Sequence, residues 1–361
     1  MTGISDIEFR GRWQMAACHV PGCGHIARDI PCQDRAETWL APRPALVVLD
    51  GRGSASLSQL GAAAALVRLK QTIRTWEPQF ASVLDAPGVR LAGVGWQSLS
   101  LMLYHTAASE QNALAAWYSS SPAEFEFTLT VAVVGKHHIG WLAIGDSPLV
   151  ICRHGIAGLV TQPESVEFAN QTTFVCASPR GSLGMKGGLI PVAGVESLVA
   201  MTDGSASRLV DLQRHLPAPA VGQIARNLGS GEWRTKEVRD MLTAVEWDRV
   251  TRDDRSVAIL TIKLPKGAPP PRLGAGHSPP TGEPKPKSPG ADLPSGGSIR
   301  DEEAPATTNE SGSRHSSAGD SADRSDQGGC QTKPVMPLRR LTSPDIRCVS
   351  TLPRQPIRIQ P

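Results

Sequence analysis

The 361-residue chain carries a formal net charge of +3 with acids and bases mixed along its length, so no basic stripe points to nucleic acid as a partner. No apolar run approaches the ~20 residues that span a bilayer, and the start MTGISDIEFR lacks an apolar leader core. A cytoplasmic protein with its seven cysteines reduced is therefore expected. Composition changes near Leu264. Before it the chain is ordinary globular sequence; after it come Pro, Gly, Ser and charge with no Phe, Trp or Tyr. Such a segment buries too little apolar surface to offset its ordering entropy. The expected organisation is one folded domain over 1–264 and a disordered tail over 265–361.

Trp13 to His19 reads as an edge strand, and Pro21 to Asp34, PGCGHIARDIPCQD, as a loop punctuated by Pro and Gly. Polar residues follow. Ala45 to Asp50, ALVVLD, is apolar up to its closing acid, as expected for a strand buried on both faces. A Gly/Ser loop then enters an alanine-rich helix, with Ser56 and Ser58 as candidate N-caps and Pro78 as its stop. Val89 to Trp117 is expected to be mostly helical. Phe125 to Val134 turns to strand periodicity, which His137 to Ile144 and Leu149 to Cys152 continue, with Gly145-Asp146-Ser147-Pro148 between them as a hairpin turn.

Gln162 to Val175 reads as a loop and then a strand. Glu196 to Thr202 is a buried strand that ends at Asp203-Gly204. Ser205 to Leu216, Pro219 to Leu228 and Trp233 to Val245 read as helices, and Ser256 to Leu264 closes as a strand. Runs of strands with runs of helices argue an α+β fold over alternating βαβ units.

Asp50, Asp146, Asp203 and Asp254 each end or precede an apolar strand or sit in a tight turn. One such Asp is a common turn former. Four of them, if clustered, would raise one another's pKa unless a cation neutralised them. Oxygen donors suit hard divalent ions, so Mg²⁺ or Mn²⁺ fits better than Zn²⁺. Cys18, His19, Cys23 and His25 invite a zinc reading, but their spacing fits no standard finger. The plainer reading is buried or incidental thiols, and Cys32 likewise reads as a small buried hydrophobe.

Five segments in order then resemble the motifs of the metal-dependent, type 2C serine/threonine protein phosphatases. They are PCQD at Pro31 to Asp34, LDGRGSA at Leu49 to Ala55, IGDSPLVI at Ile144 to Ile151, MTDGSAS at Met201 to Ser207 and DDRSVAIL at Asp253 to Leu260. His25, Cys32, Gln33 and Asp34 match the His-x6-Cys-Gln-Asp opening of a bacterial branch, and Asn170 to Phe174 is similar to that branch too. The resemblance spans about residues 18 to 264.

It implies a four-layer αββα sandwich, in which two antiparallel sheets are flanked by helices. It implies that Asp50 bridges two metal ions, with the Gly51 carbonyl on one of them. Asp203 and Asp254 would complete the second ion's ligands, and Asp34 would hold metal-bound waters. Asp146 resembles the ligand of a third, weaker ion, and Asp253 a variable structural neighbour. Implied partners are a phosphoprotein substrate and an opposing Ser/Thr kinase.

Departures fall on the substrate grip. Many members carry Arg five residues before the opening-motif Asp; Asp29 stands there, with Arg28 beside it. Arg52 replaces a common His, and Gln33 a common acid. Arg28 or Arg52 could hold phosphate, because guanidinium suits bidentate phosphate contacts. Two other readings compete. One is a non-catalytic domain that binds a phosphoprotein or kinase. The other takes LDGRGS as a nucleotide-binding turn, but it lacks GxGxxG and Gly-Lys-Ser/Thr.

Overall fold

The computed structural model describes residues 6–161, 172–176 and 184–265. All of these lie in the compact unit Met1–Glu283. The loop expected over 162–171 and the tail expected beyond Pro265 lie outside the described residues.

The chain begins with α1 (Asp6–Gly11), β1 (Trp13–Val20) and a short α2 (Cys23–Ile26) inside the expected loop. Next come β2 (Arg35–Trp39), β3 (Ala45–Leu49), α3 (Ser58–Thr75), α4 (Glu77–Leu84) and a single 30-residue α5 (Val89–Tyr118). The strands β4 (Leu129–Val134), β5 (His138–Ile144), β6 (Leu149–Arg153), β7 (Ile156–Leu159), β8 (Lys186–Pro191) and β9 (Val195–Met201) follow. Last are α6 (Asp203–Leu209), β10 (Val210–Asp211), β11 (Leu216–Pro217), α7 (Pro219–Gly229), α8 (Thr235–Thr243) and β12 (Arg255–Ile262).

Two five-stranded antiparallel sheets result, with orders β1-β12-β9-β6-β7 and β2-β3-β4-β5-β8. Strand β3 shows why they form a sandwich. All five of its residues are buried. Ala45, Val47 and Leu49 face a core shared with α3, α4 and α5. Leu46 and Val48 face Leu149, Leu198, Ala200 and Leu260 of the other sheet. That sheet's far face, with Cys18, Val199 and Ile259, meets α7 and α8 through Ile224, Leu228, Val238 and Leu242. The order is helix, sheet, sheet, helix, as the resemblance implied. Burying each such Val, Leu or Ile contributes roughly 1.5–3 kcal/mol.

The structure corrects several local expectations. Gly145 to Pro148 is not a hairpin turn: β5 belongs to one sheet and β6 to the other. The crossing is held at Ser147, whose carbonyl accepts from Thr130 Oγ1 at 2.8 Å and whose Oγ lies 2.9 Å from Thr128 Oγ1. Gly145 has φ +91, and a Cβ there would come within 2.6 Å of Thr128 Cγ2, so both backbone and space require glycine. The helix expected over Ser205 to Leu216 ends at Leu209, and the two-stranded β10–β11 ribbon takes its second half. Neither serine caps α3. Ser58 is inside the helix, and Ser56 N and Oγ donate instead to Glu124 Oε2 at 2.9 and 2.8 Å. Pro78 stands in the first turn of α4, where its missing N–H costs nothing.

Candidate functional site

Strand register gathers the acids. Arg35 pairs with Leu49, which brings Asp34 and Asp50 together where β2 starts and β3 ends. Leu129 pairs with Ile144, so the Asp146 turn leaves the same end of that sheet. In the other sheet Val257 pairs with Met201, which sets Asp253 and Asp254 beside Asp203. The motifs therefore converge because antiparallel strands alternate direction, and each contributes its start or its finish.

The electrostatics confirm the convergence. Asp34 is 1% exposed. Burial holds its pKa well above the usual range, and Asp254, Asp203 and Asp253 push the same way, against one stabilising bond from Thr202 Oγ1 at 2.7 Å. Asp50 is likewise raised well above that range by burial, then by Asp34 and Asp203. Asp203 sits at the rim, turned toward Asp50, with which it shares a hydrogen bond. Burial of that carboxyl first, then Asp146 and Asp253, raises it to about 6. Asp146 accepts from Thr172 Oγ1 at 2.9 Å.

Asp253 and Asp254 occupy different environments. Asp254 is 2% exposed. Its Oδ1 accepts from Gly22 N at 2.8 Å, its Oδ2 from Gln33 N at 2.6 Å, and His25 Nδ1 lies 2.9 Å from Oδ1. It ties the opening segment to β12. Gly22 must be glycine for this approach, because a Cβ would fall 2.1 Å from the Asp253 carbonyl oxygen. Asp253 is the exposed member of the pair and is the one that acts on Asp203.

The arginines also separate. Arg52 donates from Nη1 to Glu126 Oε2 at 2.7 Å and from Nε to Ser54 Oγ at 2.8 Å, and it stacks 5.5 Å from the Phe174 ring centroid. Its charge is already answered. Arg28 is exposed in the turn just after α2, with Nε donating to Gly24 O at 2.9 Å. It lines a groove of about 480 Å³ with His25, Gly53, Arg252 and Asp253. Arg252 had no signal in the sequence: an Arg before an Asp pair is ordinary until the groove puts it opposite Arg28. Gln33 Nε2 donates to Ala55 O at 3.1 Å, bracing the loop after Asp50.

The thiols stand apart from chemistry. Burial, then Asp34 and Asp254, hold the Cys32 thiol far above its ordinary pKa, and burial pushes Cys18 up to about 11. Among the described residues, the metal-compatible group that forms is His25 with Asp253 and Asp254, not the four Cys and His residues near the N-terminus.

The acid cluster fits divalent ions. Its donors are carboxylate oxygens, and the mutual repulsion that adds to burial in raising their pKa values is what a hard cation would relieve. Residues 21–243 match the profile of the family described as Protein phosphatase 2C. The chain belongs to the protein phosphatase 2C family. A comparison with curated proteins found no match.

Among solved structures, a bacterial serine phosphatase with an arginine-to-lysine substitution aligns with TM-score 0.50 at 11% identity, covering 70% of this chain and 98% of that one. The catalytic domain of the phosphatase PstP, in complex with two manganese ions, aligns at 0.47 with 15% identity, 69% of this chain and 98% of that one. PppA, described as a regulatory component of T6SS in Pseudomonas aeruginosa, aligns at 0.47 with 14% identity, 69% and 97%. At 11% identity the first likeness concerns the fold alone. Among the described residues no helix is long and apolar enough to cross a membrane.

Proposed function

We propose that this chain is a metal-dependent protein serine/threonine phosphatase that hydrolyses phosphoserine and phosphothreonine by direct attack of water. The observation that carries this reading is the convergence of Asp34, Asp50, Asp146, Asp203 and Asp253 at one end of the sandwich, each raised or surrounded by other acids. Two divalent ions, Mg²⁺ or Mn²⁺, would supply a water of lowered pKa and charge to stabilise the transferring phosphoryl group.

In this reading Asp50 and the Gly51 carbonyl would hold the metal ions. Asp203 and Asp253 would complete the ligand set, with Asp253 in place of Asp254, which accepts from Gly22 and Gln33. Asp34, with Thr202 fixing one oxygen, accepts hydrogen bonds from the attacking water and its neighbours. Asp146 is the ligand for a third, weaker ion. Arg28 and Arg252 grip the phosphate from the groove beside Asp253, and Arg52 braces the loop after Asp50 through Glu126. No thiolate is needed, in keeping with the protonated state of Cys32. The substrate is a phosphoprotein made by a Ser/Thr kinase, in the cytoplasm.

The test is turnover of p-nitrophenyl phosphate and a phosphothreonine peptide by the full chain, with EDTA, Mg²⁺ or Mn²⁺. Turnover should require metal and fall by about 10³-fold or more in Asp50→Ala. Arg28→Ala and Arg252→Ala should each raise KM roughly 5–20-fold, with Arg52→Ala within about twofold. Metal binding without turnover on either substrate would move the assignment to a phosphoprotein-binding domain.

A further inference from the structure

We infer that the chain has a second oxyanion site, on the side of α2 away from the catalytic groove, which takes a phosphate-class dianion. Helix α2 separates two cavities. Gly24, His25 and Arg28 line the groove at the acids, whereas Cys23 and Ile26 line a separate cavity of about 380 Å³. Its polar wall is His19 of β1, Arg239 of α8 and Arg255 of β12, with Asp248 as its one acid.

The key group is Arg255. It is 4% exposed, yet its Nε and Nη1 are buried without a hydrogen-bond partner. Nη2 donates to Pro21 O at 3.3 Å, and Nη1 stands 3.3 Å from Asp248 Oδ1, out of hydrogen-bonding alignment. Buried, unsatisfied guanidinium donors are costly, and a partner that accepts from them recovers that cost.

Two further groups face the same space. Arg239 is exposed, and no ion pair engages it among the described residues. His19 Nδ1 is buried without a partner. Burial, Arg35 and Arg239 hold His19 below its usual pKa, so it adds a neutral donor or acceptor instead of a charge.

Two arginines at one cavity against a single, partly exposed carboxylate leave net positive charge and several free donors. That is the chemistry of phosphate recognition. A chloride-sized ion would satisfy fewer donors, and a carboxylate would offer two oxygens where phosphate offers more. The site needs no metal and does not depend on the chain being an active phosphatase.

Free phosphate and a phosphorylated peptide share this chemistry, so both are tested. The full chain is stripped of metal with EDTA, which leaves the catalytic acids repelling anions, and titrated by calorimetry with inorganic phosphate and with a phosphothreonine peptide. One equivalent of either should bind, the tighter of the two naming the source. Arg239→Ala should weaken it about tenfold or more, and Arg255→Lys, which keeps charge but loses the fork, should weaken it as well. Arg28→Ala and Arg252→Ala should leave it unchanged. The proposal is overturned if neither ligand binds at millimolar concentration. It is equally overturned if Arg239→Ala binds like the parent, or if Arg28→Ala or Arg252→Ala abolishes binding.

Discussion

Strand β3 joins two charged clusters with opposite logic. Just before it, the buried Arg43 donates to Asp85 at 2.8 and 3.0 Å and to Glu77 at 2.9 Å. One cation meets two acids, and Asp85 also accepts from Lys136 N at 2.7 Å. That cluster closes on itself and pins α4 to the sheet. Just after β3, Asp50 meets Asp34, Asp203 and Asp146, and every charge acting on it is another acid. A self-satisfied cluster serves the fold. A cluster that repels itself is held together by the surrounding packing and is completed only by something from outside.

The contrast sharpens most at Asp253 and Asp254. Asp253→Ala should cut turnover by about 10³-fold while costing little stability, because its side chain is exposed. Asp254→Ala should instead cost about 2–4 kcal/mol, since the N–H groups of Gly22 and Gln33 lose their buried acceptor. Denaturant unfolding alongside kinetics separates the two effects. Loss of metal-dependent turnover in a well-folded Asp254→Ala protein, with Asp253→Ala unaffected, would return the ligand role to Asp254.

The closed cluster should break differently. Arg43→Met should cost roughly 2–4 kcal/mol by leaving Glu77 and Asp85 without their cation, with kcat unchanged once the protein is folded. An equal loss of kcat would mean that the two ends of β3 are coupled.

The smallest effect is on pH dependence without metal. Asp203 titrates near 6 when folded, and Asp34 and Asp50 also stand above the ordinary carboxylate range. Between about pH 4 and 6 the folded state holds protons that the unfolded chain has released, so stability falls as pH rises through that window. In EDTA, Asp203→Asn should therefore gain roughly 2–5 °C over the parent near pH 7 and nothing near pH 4. A constant difference across pH would count against the charge repulsion described here.

Much of this was legible in the sequence, for physical reasons. The buried runs of β3, β9 and β12 are dominated by apolar residues, so they stand out together with the acids that flank them. Strand β2, RAETW, is an edge strand of mixed polarity, and β8, KGGLIP, is rich in glycine; neither has a strand signature. The Gly145 turn looks like a hairpin because local sequence does not record which sheet β6 joins. Asp50, Asp146, Asp203 and Asp254 could be picked out as strand ends or turn residues, and Asp34 only through the family resemblance. The hydrogen bonds that Asp254 accepts from Gly22 and Gln33 could not, because those residues lie more than 200 positions away in sequence. The groove position of Arg252 and the pairing of Arg52 with Glu126 were hidden for the same reason, since their neighbours are distant in sequence.

Binding of Mn²⁺ to the full, metal-free chain, followed by calorimetry at neutral pH beside Asp50→Ala, tests the central claim most directly. The open acid cluster predicts two ions per parent chain, with proton release on binding, and loss of both in the variant. No binding, or binding that Asp50→Ala leaves intact, would contradict it.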